Sequence, residues 1–297
     1  MAARRPTAIG VLPFPVLVMI APSLLLAAFV ILYPVWEILC LSVHEISRFG
    51  LVRGFVGWDN FIGVLADPSF RASLWRTLIW TGAVVGGTVL VSVPTAVILN
   101  LDFAGRGLAR ALVMLPWSVS LSMASIVWLW SFNADYGLIN TILQSLGLIA
   151  RGVPWMARPE TAFPIEIAIG VIVSIPFTTT ILLGGLASIP GDIYEAARID
   201  GAGPLRQFRA LTLPLLRNFI NIAVVLNIIH VFNSFPIIWI MTQGGPDDGT
   251  HILITYLYDL AFRLGKPGPA AAISLIMLAI LFAFTFLYLR LQPKDAS

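Results

Sequence analysis

One polar stretch between two hydrophobic spans decides the fold: Pro190-Gly-Asp-Ile-Tyr-Glu-Ala-Ala-Arg-Ile-Asp-Gly-Ala-Gly-Pro-Leu-Arg-Gln-Phe-Arg-Ala-Leu-Thr-Leu-Pro214. It is the longest break in hydrophobicity that also carries helix start and stop signals at both ends. Pro190 and Gly191 end the preceding apolar segment. Asp192 can then accept from the first free backbone N–H groups, and Glu195, three residues on, can reach back to it. This pattern predicts a short helix that starts near Ile193.

The second half of the stretch predicts a sharp turn followed by another helix. Gly201 suits the left-handed position that closes a helix. Gly203-Pro204 suits a helix start, because proline lacks only an N–H group that is unpaired there anyway. The second helix carries an apolar stripe at helical spacing. Its members are Leu205, Phe208, Leu211 or Thr212, and Leu215.

The same stretch resembles the EAA loop of permease subunits of bacterial ATP-binding-cassette (ABC) importers. Leu211 departs from the family, which often has isoleucine there. The resemblance implies a cytoplasmic loop that inserts into a groove on an ATPase subunit and passes movement to the membrane helices. The coupling residues that it implies are Glu195, Ala196, Ala197, Asp200, Gly201, Ala202, Phe208 and Pro214. The alternative is an ordinary amphipathic loop between two membrane helices.

The composition is that of an all-α, polytopic membrane protein. Hydrophobic residues make up 58% of the chain and charged residues 11%, with a mean hydropathy of +0.91, whereas a soluble domain has about 25% charged residues. The single cysteine, Cys40, excludes an internal disulfide, and the three histidines lack metal-ligand spacing. A net charge of +3 without a basic run gives no support for nucleic-acid binding. We therefore predict neither a metal site nor a catalytic residue in this chain.

Six apolar segments are long enough to cross a bilayer as helices, which takes about 20 residues. They lie near residues 13–40, 77–101, 111–133, 164–188, 218–241 and 269–290. The side of the membrane that holds both termini and the polar stretch has about twice the density of Lys and Arg, so we expect that side to be cytoplasmic. The predicted organisation is a cytoplasmic N-terminus (1–12), a six-helix permease domain (13–291) and a cytoplasmic tail (292–297).

The fifth predicted span is the least uniformly apolar. Polar side chains in hydrocarbon need a partner or water, so we expect them to face other helices or a wet cavity. Asn227, His230 and Ser234 share one helical face. The candidate substrate-pathway residues on this helix are Asn227, His230, Asn233, Ser234, Phe235 and Trp239. Hydrogen bonds between helices are the equally favoured alternative for the polar ones.

Two tryptophans near the outer end of the third span, Trp128 and Trp130, have two interpretations. They are typical anchors at the membrane interface. Their flat apolar rings could instead stack on the faces of sugar rings.

A second stretch, Thr242-Gln-Gly-Gly-Pro246, resembles a segment of the maltose and glycerol-phosphate branch of the same permeases. Gln243 stands where that branch usually has glycine. The resemblance implies the type I ABC importer permease fold, a second related permease subunit, two ATPase subunits that bind ATP and magnesium, and an external solute-binding protein. The chain itself has no phosphate-binding glycine loop, so ATP hydrolysis is expected in the partner subunits and no cofactor in this one.

The predicted function is the import of a carbohydrate across the bacterial inner membrane by alternating access. Two alternatives stay open: a permease for another solute, such as a glycerol phosphodiester or a polyamine, and a secondary transporter. A secondary transporter would be expected to carry an ion-coupling carboxylate near mid-membrane, and no carboxylate sits clearly there.

Overall fold

A computed structural model of the chain describes residues 14–291. The predicted cytoplasmic N-terminus (1–12) and tail (292–297) therefore lie outside the described residues. The first part of the bundle contains, in chain order, α1 (Phe14–Ser42), β1 (His44–Ile46), β2 (Val52–Phe55), α2 (Asp59–Ala66), α3 (Pro68–Asn100), α4 (Arg106–Met114), a 3-10 turn (Leu115–Ser118), α5 (Leu121–Ser131), α6 (Leu138–Ser145) and a 3-10 turn (Trp155–Ala157).

The second part begins with the span that precedes the polar stretch. Its elements are α7 (Pro159–Ala187), α8 (Gly191–Ile199), α9 (Pro204–Gln207), a π-helical turn (Phe208–Thr212), α10 (Leu213–Phe232), α11 (Pro236–Met241), α12 (Leu253–Tyr258), a second π-helical turn (Asp259–Arg263) and α13 (Pro267–Leu291).

The helical membrane class is confirmed. Five helices in the described part of the chain are long and apolar enough to cross a membrane, and a bent helix pair supplies the sixth span. The second span begins at Pro68 rather than near residue 77, because the Asp67 carboxylate accepts from the Ser69 N–H at 2.9 Å and caps the helix. The short antiparallel pair β1–β2 has no counterpart among the elements predicted from the sequence.

The third predicted span, residues 111–133, is not one continuous helix. Its two halves, Arg106–Ser118 and Leu121–Ser131, meet at 95°. Pro116 lies in the 3-10 turn at the bend, where it removes a backbone donor. Ser120 then starts α5 by accepting from the Met123 N–H at 3.3 Å. These local signals end one helix and start another within an apolar run.

The core runs along α3 and α7, which pack side by side in the same direction. Glycines let the two helices approach closely. A Cβ atom at Gly170 would lie 2.9 Å from Val84 Cγ2, and one at Gly87 would lie 2.8 Å from Val171 Cγ2. Both helices therefore begin at the same end of the bundle, opposite the Pro190–Pro214 loop into which α7 leads.

Candidate functional site

The Pro190–Pro214 loop begins with α8, and its start differs from the prediction. Pro190 is the N-cap residue, and neither Asp192 nor Glu195 makes the predicted capping hydrogen bond. The reason is that the helix starts at Gly191, so Asp192 is already inside the first turn and lacks the extended backbone of a cap. In this position the negative charge of Asp192 still interacts favourably with the positive N-terminal end of the helix dipole. Glu195 is exposed, so its carboxylate is available to a partner.

The turn after α8 is confirmed. Gly201 has φ +75°, the left-handed conformation that favours glycine. The Ala202 N–H donates to the Ala197 carbonyl at 2.9 Å and closes the helix, and the Gln207 side chain donates to the Ala202 carbonyl at 2.7 Å. Pro204 then begins α9 as expected.

The predicted apolar stripe of the second helix is wrong in part. Leu205 and Leu215 are exposed, whereas Leu216 is fully buried and Phe208 packs beside it. The π-helical turn Phe208–Thr212 accommodates an extra residue per turn, which moves the buried face by one position. The Thr212 hydroxyl on this buried face lies 3.0 Å from the Tyr194 hydroxyl, a hydrogen bond that ties α8 to the start of α10.

The exposed surface of the loop carries apolar as well as polar side chains. Ile199 is 87% exposed and Leu205 61% exposed. Among the predicted coupling residues, one set is exposed and available for contact: Glu195, Ala196, Asp200, Gly201 and Pro214. The others are partly buried and hold the loop together: Ala197, Ala202 and Phe208. Exposed apolar residues beside polar ones are typical of a protein interaction surface.

A cavity of about 410 Å³ lies between α3, α5, α7 and α10, and we call it the central cavity. Three polar residues predicted from the fifth span, Asn227, His230 and Ser234, line it together. The other side includes Trp80, Trp117, Ser174 and Phe177, none of which was predicted from the sequence. Trp117 lies in the bend of the third span, so irregular backbone borders the cavity, the setting in which membrane proteins tolerate it.

Asn227 also makes the hydrogen bond between helices that was the alternative interpretation. Its side-chain amide donates to the Thr178 hydroxyl of α7 at 2.8 Å and to the Ala223 carbonyl at 2.8 Å. Both Asn227 and Thr178 are buried. This bond fixes α10 against α7 along the cavity wall, while His230, which is exposed, faces open space.

The remaining pathway candidates lie outside the central cavity. Asn233 lines a neighbouring pocket of about 430 Å³ that also contacts His230. Phe235 and Trp239 stack on each other, and both contact the Tyr258 ring, Phe235 at a tilt and Trp239 edge to face. Trp128 stacks on Phe132. Trp130 lines a third pocket, of about 360 Å³, beside Trp155 and Tyr136.

A buried carboxyl links the first half of α7 to the end of α11. Glu166 is fully buried, and its Oε1 atom accepts from the Thr242 hydroxyl at 2.8 Å. The Thr242 and Thr250 hydroxyls are 2.6 Å apart. Gln243, which replaces the family's usual glycine, has φ +54°, so it adopts the left-handed conformation that glycine takes without strain. Glu166 therefore anchors this turn and does not line the central cavity.

Membrane-length helices that enclose a cavity beside a broken span are typical of membrane transport proteins. The chain belongs to the family of binding-protein-dependent transport system inner membrane components, whose model matches residues 88–295. It is an ABC importer permease of the inner membrane and not an enzyme. The resemblance found in the sequence is thus confirmed at the level of the family.

Individual relatives agree with this assignment. A probable ABC transporter permease of Brucella suis biovar 1 (strain 1330) is 55% identical over 277 residues, which cover 93% of this chain and 96% of the relative. The trehalose/maltose transport system permease MalF of Thermococcus litoralis is 35% identical over 272 residues, which cover 92% of this chain and 91% of the relative. A bacterial alginate ABC transporter, solved in complex with its alginate pentasaccharide-bound periplasmic protein, contains a chain with a TM-score of 0.81 at 19% identity, covering 93% of this chain and 92% of the other.

Proposed function

We propose that this permease subunit imports a carbohydrate and that the substrate passes through the central cavity. The observation that carries the proposal is the lining of that cavity. The aromatic rings of Trp117 and Phe177 lie around the hydrogen-bonding side chains of His230 and Ser234. Sugar rings offer the matching chemistry, with apolar faces that stack on aromatic rings and hydroxyl groups that hydrogen-bond to polar side chains.

Charge favours a neutral saccharide over the other solutes considered. The lining residues that the structure describes include no Asp, Glu, Lys or Arg. A glycerol phosphodiester or a polyamine carries charge, and a buried charge needs a compensating partner. Relatives of similar identity are named for trehalose/maltose transport and for sn-glycerol-3-phosphate transport, so this preference rests on the lining of the cavity.

The partners follow from the family and from the exposed loop. We propose that the Pro190–Pro214 loop lies in the cytoplasm with both termini and docks on one of two ATPase subunits, which bind ATP and magnesium. The exposed Ile199 and Leu205 beside the Glu195 carboxylate suit a groove with an apolar floor and a polar rim. A second permease subunit and an external solute-binding protein complete the importer.

Two hydrogen bonds support a route from this loop to the cavity. Tyr194 in α8 is hydrogen-bonded to Thr212, the residue just before α10. Asn227, in the second half of α10, is hydrogen-bonded to Thr178 on α7. Since α7 and α10 flank the loop and form part of the cavity wall, a displaced loop moves both helices together. Closure of the ATPase dimer would in this way open the cavity outward for alternating access.

Saccharide uptake by the complex in proteoliposomes, with the solute-binding protein present, tests the proposal. Trp117 is 60% exposed and lines the cavity, so Trp117→Ala removes a stacking surface without opening a packed core. We expect the saccharide concentration at half-maximal uptake to rise about 5- to 10-fold, since an aromatic contact contributes about 1 kcal/mol.

The matched control is Trp130→Ala, because Trp130 is 63% exposed but lies outside the central cavity. It should leave saccharide uptake unchanged. Uptake of a charged solute without uptake of any saccharide would contradict the carbohydrate assignment. Equal effects of the two tryptophan variants would contradict the role of the cavity.

A further inference from the structure

The outer end of the bundle carries an exposed apolar patch formed by the β1–β2 hairpin and α2, which we call the outer hairpin patch. Phe49 at the turn is 89% exposed, Phe55 is 74% exposed and Trp58 is 71% exposed. Leu51, Val52, Ile62 and Leu65 extend the same patch. An exposed apolar patch of this kind typically contacts a membrane or another protein and not water.

Hydrogen bonds hold the patch at the level where α1 ends. The Val56 and Gly57 N–H groups donate to the Val43 carbonyl at 2.9 and 3.1 Å. The Asn60 side-chain amide donates to the carbonyls of Ser42 and His44 at 2.9 and 3.0 Å. The chain therefore leaves α1 at Ser42, makes the hairpin and returns to the same level before α2 begins.

The outer ends of two further spans lie beside this level. α13 begins at Pro267, and a Cβ atom at Gly268 would lie 2.9 Å from the His44 carbonyl oxygen. The Arg48 side chain lies against Gly265, just before that helix. α3 begins at Pro68, two residues after the end of α2. The patch is thus held beside the ends of three membrane-length helices, α1, α3 and α13. Such helix ends are where a membrane span leaves the hydrocarbon core.

The chemistry of the patch matches the polar–apolar boundary of a bilayer. Aromatic rings are enriched at the headgroup level, and arginine side chains extend from there toward lipid phosphates. Arg48 and Arg53 are both exposed among the aromatic residues, with Arg53 3.3 Å from Glu45. Apolar side chains near the adjoining end of α1, Trp36 and Leu39, are exposed as well.

We propose that the outer hairpin patch lies in the outer leaflet of the membrane, with Phe49, Phe55 and Trp58 at the level of the lipid headgroups. The hairpin then fixes the height of α1, α3 and α13 in the bilayer. This role does not depend on which substrate the permease carries.

Spin labels in the assembled complex test this placement, because Cys40 is the chain's single cysteine. In a Cys40→Ser background with cysteine-free partner subunits, labels are attached at Phe49→Cys and Phe55→Cys in phosphatidylethanolamine–phosphatidylglycerol nanodiscs. Leu26→Cys gives the lipid reference on α1, and Glu160→Cys, in the exposed first turn of α7 at the same end, gives the water reference. Each label is compared for collisions with oxygen and with a water-soluble nickel chelate.

We expect both hairpin labels to give oxygen-to-nickel ratios between the two references, at a depth of about 5–10 Å below the phosphates. If a hairpin variant does not assemble, a label at Ile62→Cys on α2 gives the oxygen-to-nickel ratio of the patch instead. Nickel accessibility equal to that of the Glu160 label would overturn the proposal, because the patch would then face water. Shielding from both reagents would also overturn it, because a protein partner would then cover the patch.

Discussion

The Pro190–Pro214 loop is stabilised by contacts between residues close in sequence, whereas the central cavity is formed by residues far apart in sequence. Hydrogen bonds within the loop fix its shape, such as those from Ala202 to Ala197 and from Gln207 to Ala202. The cavity is assembled from residues as distant in sequence as Trp80 and Ile237.

This difference separates two kinds of mutational effect. A change in the loop should alter its contact with a partner and leave the bundle folded. A change in the wall of the cavity should alter either helix packing or substrate passage, depending on which side chain is changed.

The largest expected effect concerns Asn227. Asn227→Ala removes the amide that donates to the buried Thr178 hydroxyl, which then keeps only its own donation to the Ser174 carbonyl at 3.1 Å, and it should cost about 1–3 kcal/mol of folding free energy. Unfolding of the purified complex in detergent measures this loss. A double-mutant cycle with Thr178→Val should give a coupling of about 0.6–1.7 kcal/mol. Additive losses would mean that the two side chains do not interact in the membrane.

The next prediction compares two glycines of the loop that both have room for a side chain but differ in backbone conformation. A Cβ atom meets nothing within 4 Å at either Gly201 or Gly191, but only Gly201 has a positive φ. Gly201→Ala should therefore disfavour the turn by about 1–2 kcal/mol and lower substrate-stimulated ATP hydrolysis about 5- to 30-fold. Gly191→Ala, the matched control, should hydrolyse ATP like the wild type. Similar losses in both variants would show that α8 is sensitive to any substitution and not to the turn.

A smaller effect is expected at the exposed apolar surface of the loop. Ile199→Ala removes an exposed side chain that we propose contacts the ATPase, so about 1 kcal/mol of association should be lost. Titration of the ATPase subunit onto the permease pair measures the affinity, with about a fivefold decrease expected. Leu148→Ala changes a side chain that is 67% exposed at the other end of the bundle and should have no effect.

The smallest effect concerns the bond between α8 and α10. Tyr194→Phe removes the hydroxyl that lies 3.0 Å from Thr212, at a cost of about 0.5–1 kcal/mol. The ratio of saccharide molecules imported per ATP hydrolysed should fall by about half, because the loop would follow the ATPase without moving α10 fully. Tyr136→Phe, which alters an exposed tyrosine outside the loop, serves as the control. An unchanged ratio in Tyr194→Phe would argue that another contact transmits the movement.

Local signals allowed the loop to be predicted well. Gly201 and Pro204 each restrict the backbone at one position, and the structure has the turn and the second helix where these residues require them. The cap at Asp192 was wrong because a helix can start one residue earlier without any change in pattern. The shift from Leu215 to Leu216 depends on a π-helical turn, which has no simple sequence signal.

Only the side of the cavity formed by the fifth span could be predicted from the sequence. Helical spacing brought Asn227, His230 and Ser234 onto one face, and the structure has them together. Trp80 and Trp117 lie in spans that read as uniformly apolar, so only the packing of α3 and α7 against the bent third span brings them to the same cavity. Pro116 was the available signal for that bend.

The most direct test measures ATP hydrolysis and saccharide uptake in the same proteoliposomes for Gly201→Ala and Trp117→Ala. The loop variant should lose both stimulated hydrolysis and uptake. The cavity variant should keep hydrolysis stimulated by the solute-binding protein but require more saccharide for uptake. If the loop variant assembles, hydrolyses ATP and transports like the wild type, the Pro190–Pro214 loop is only a connector and its coupling role is contradicted.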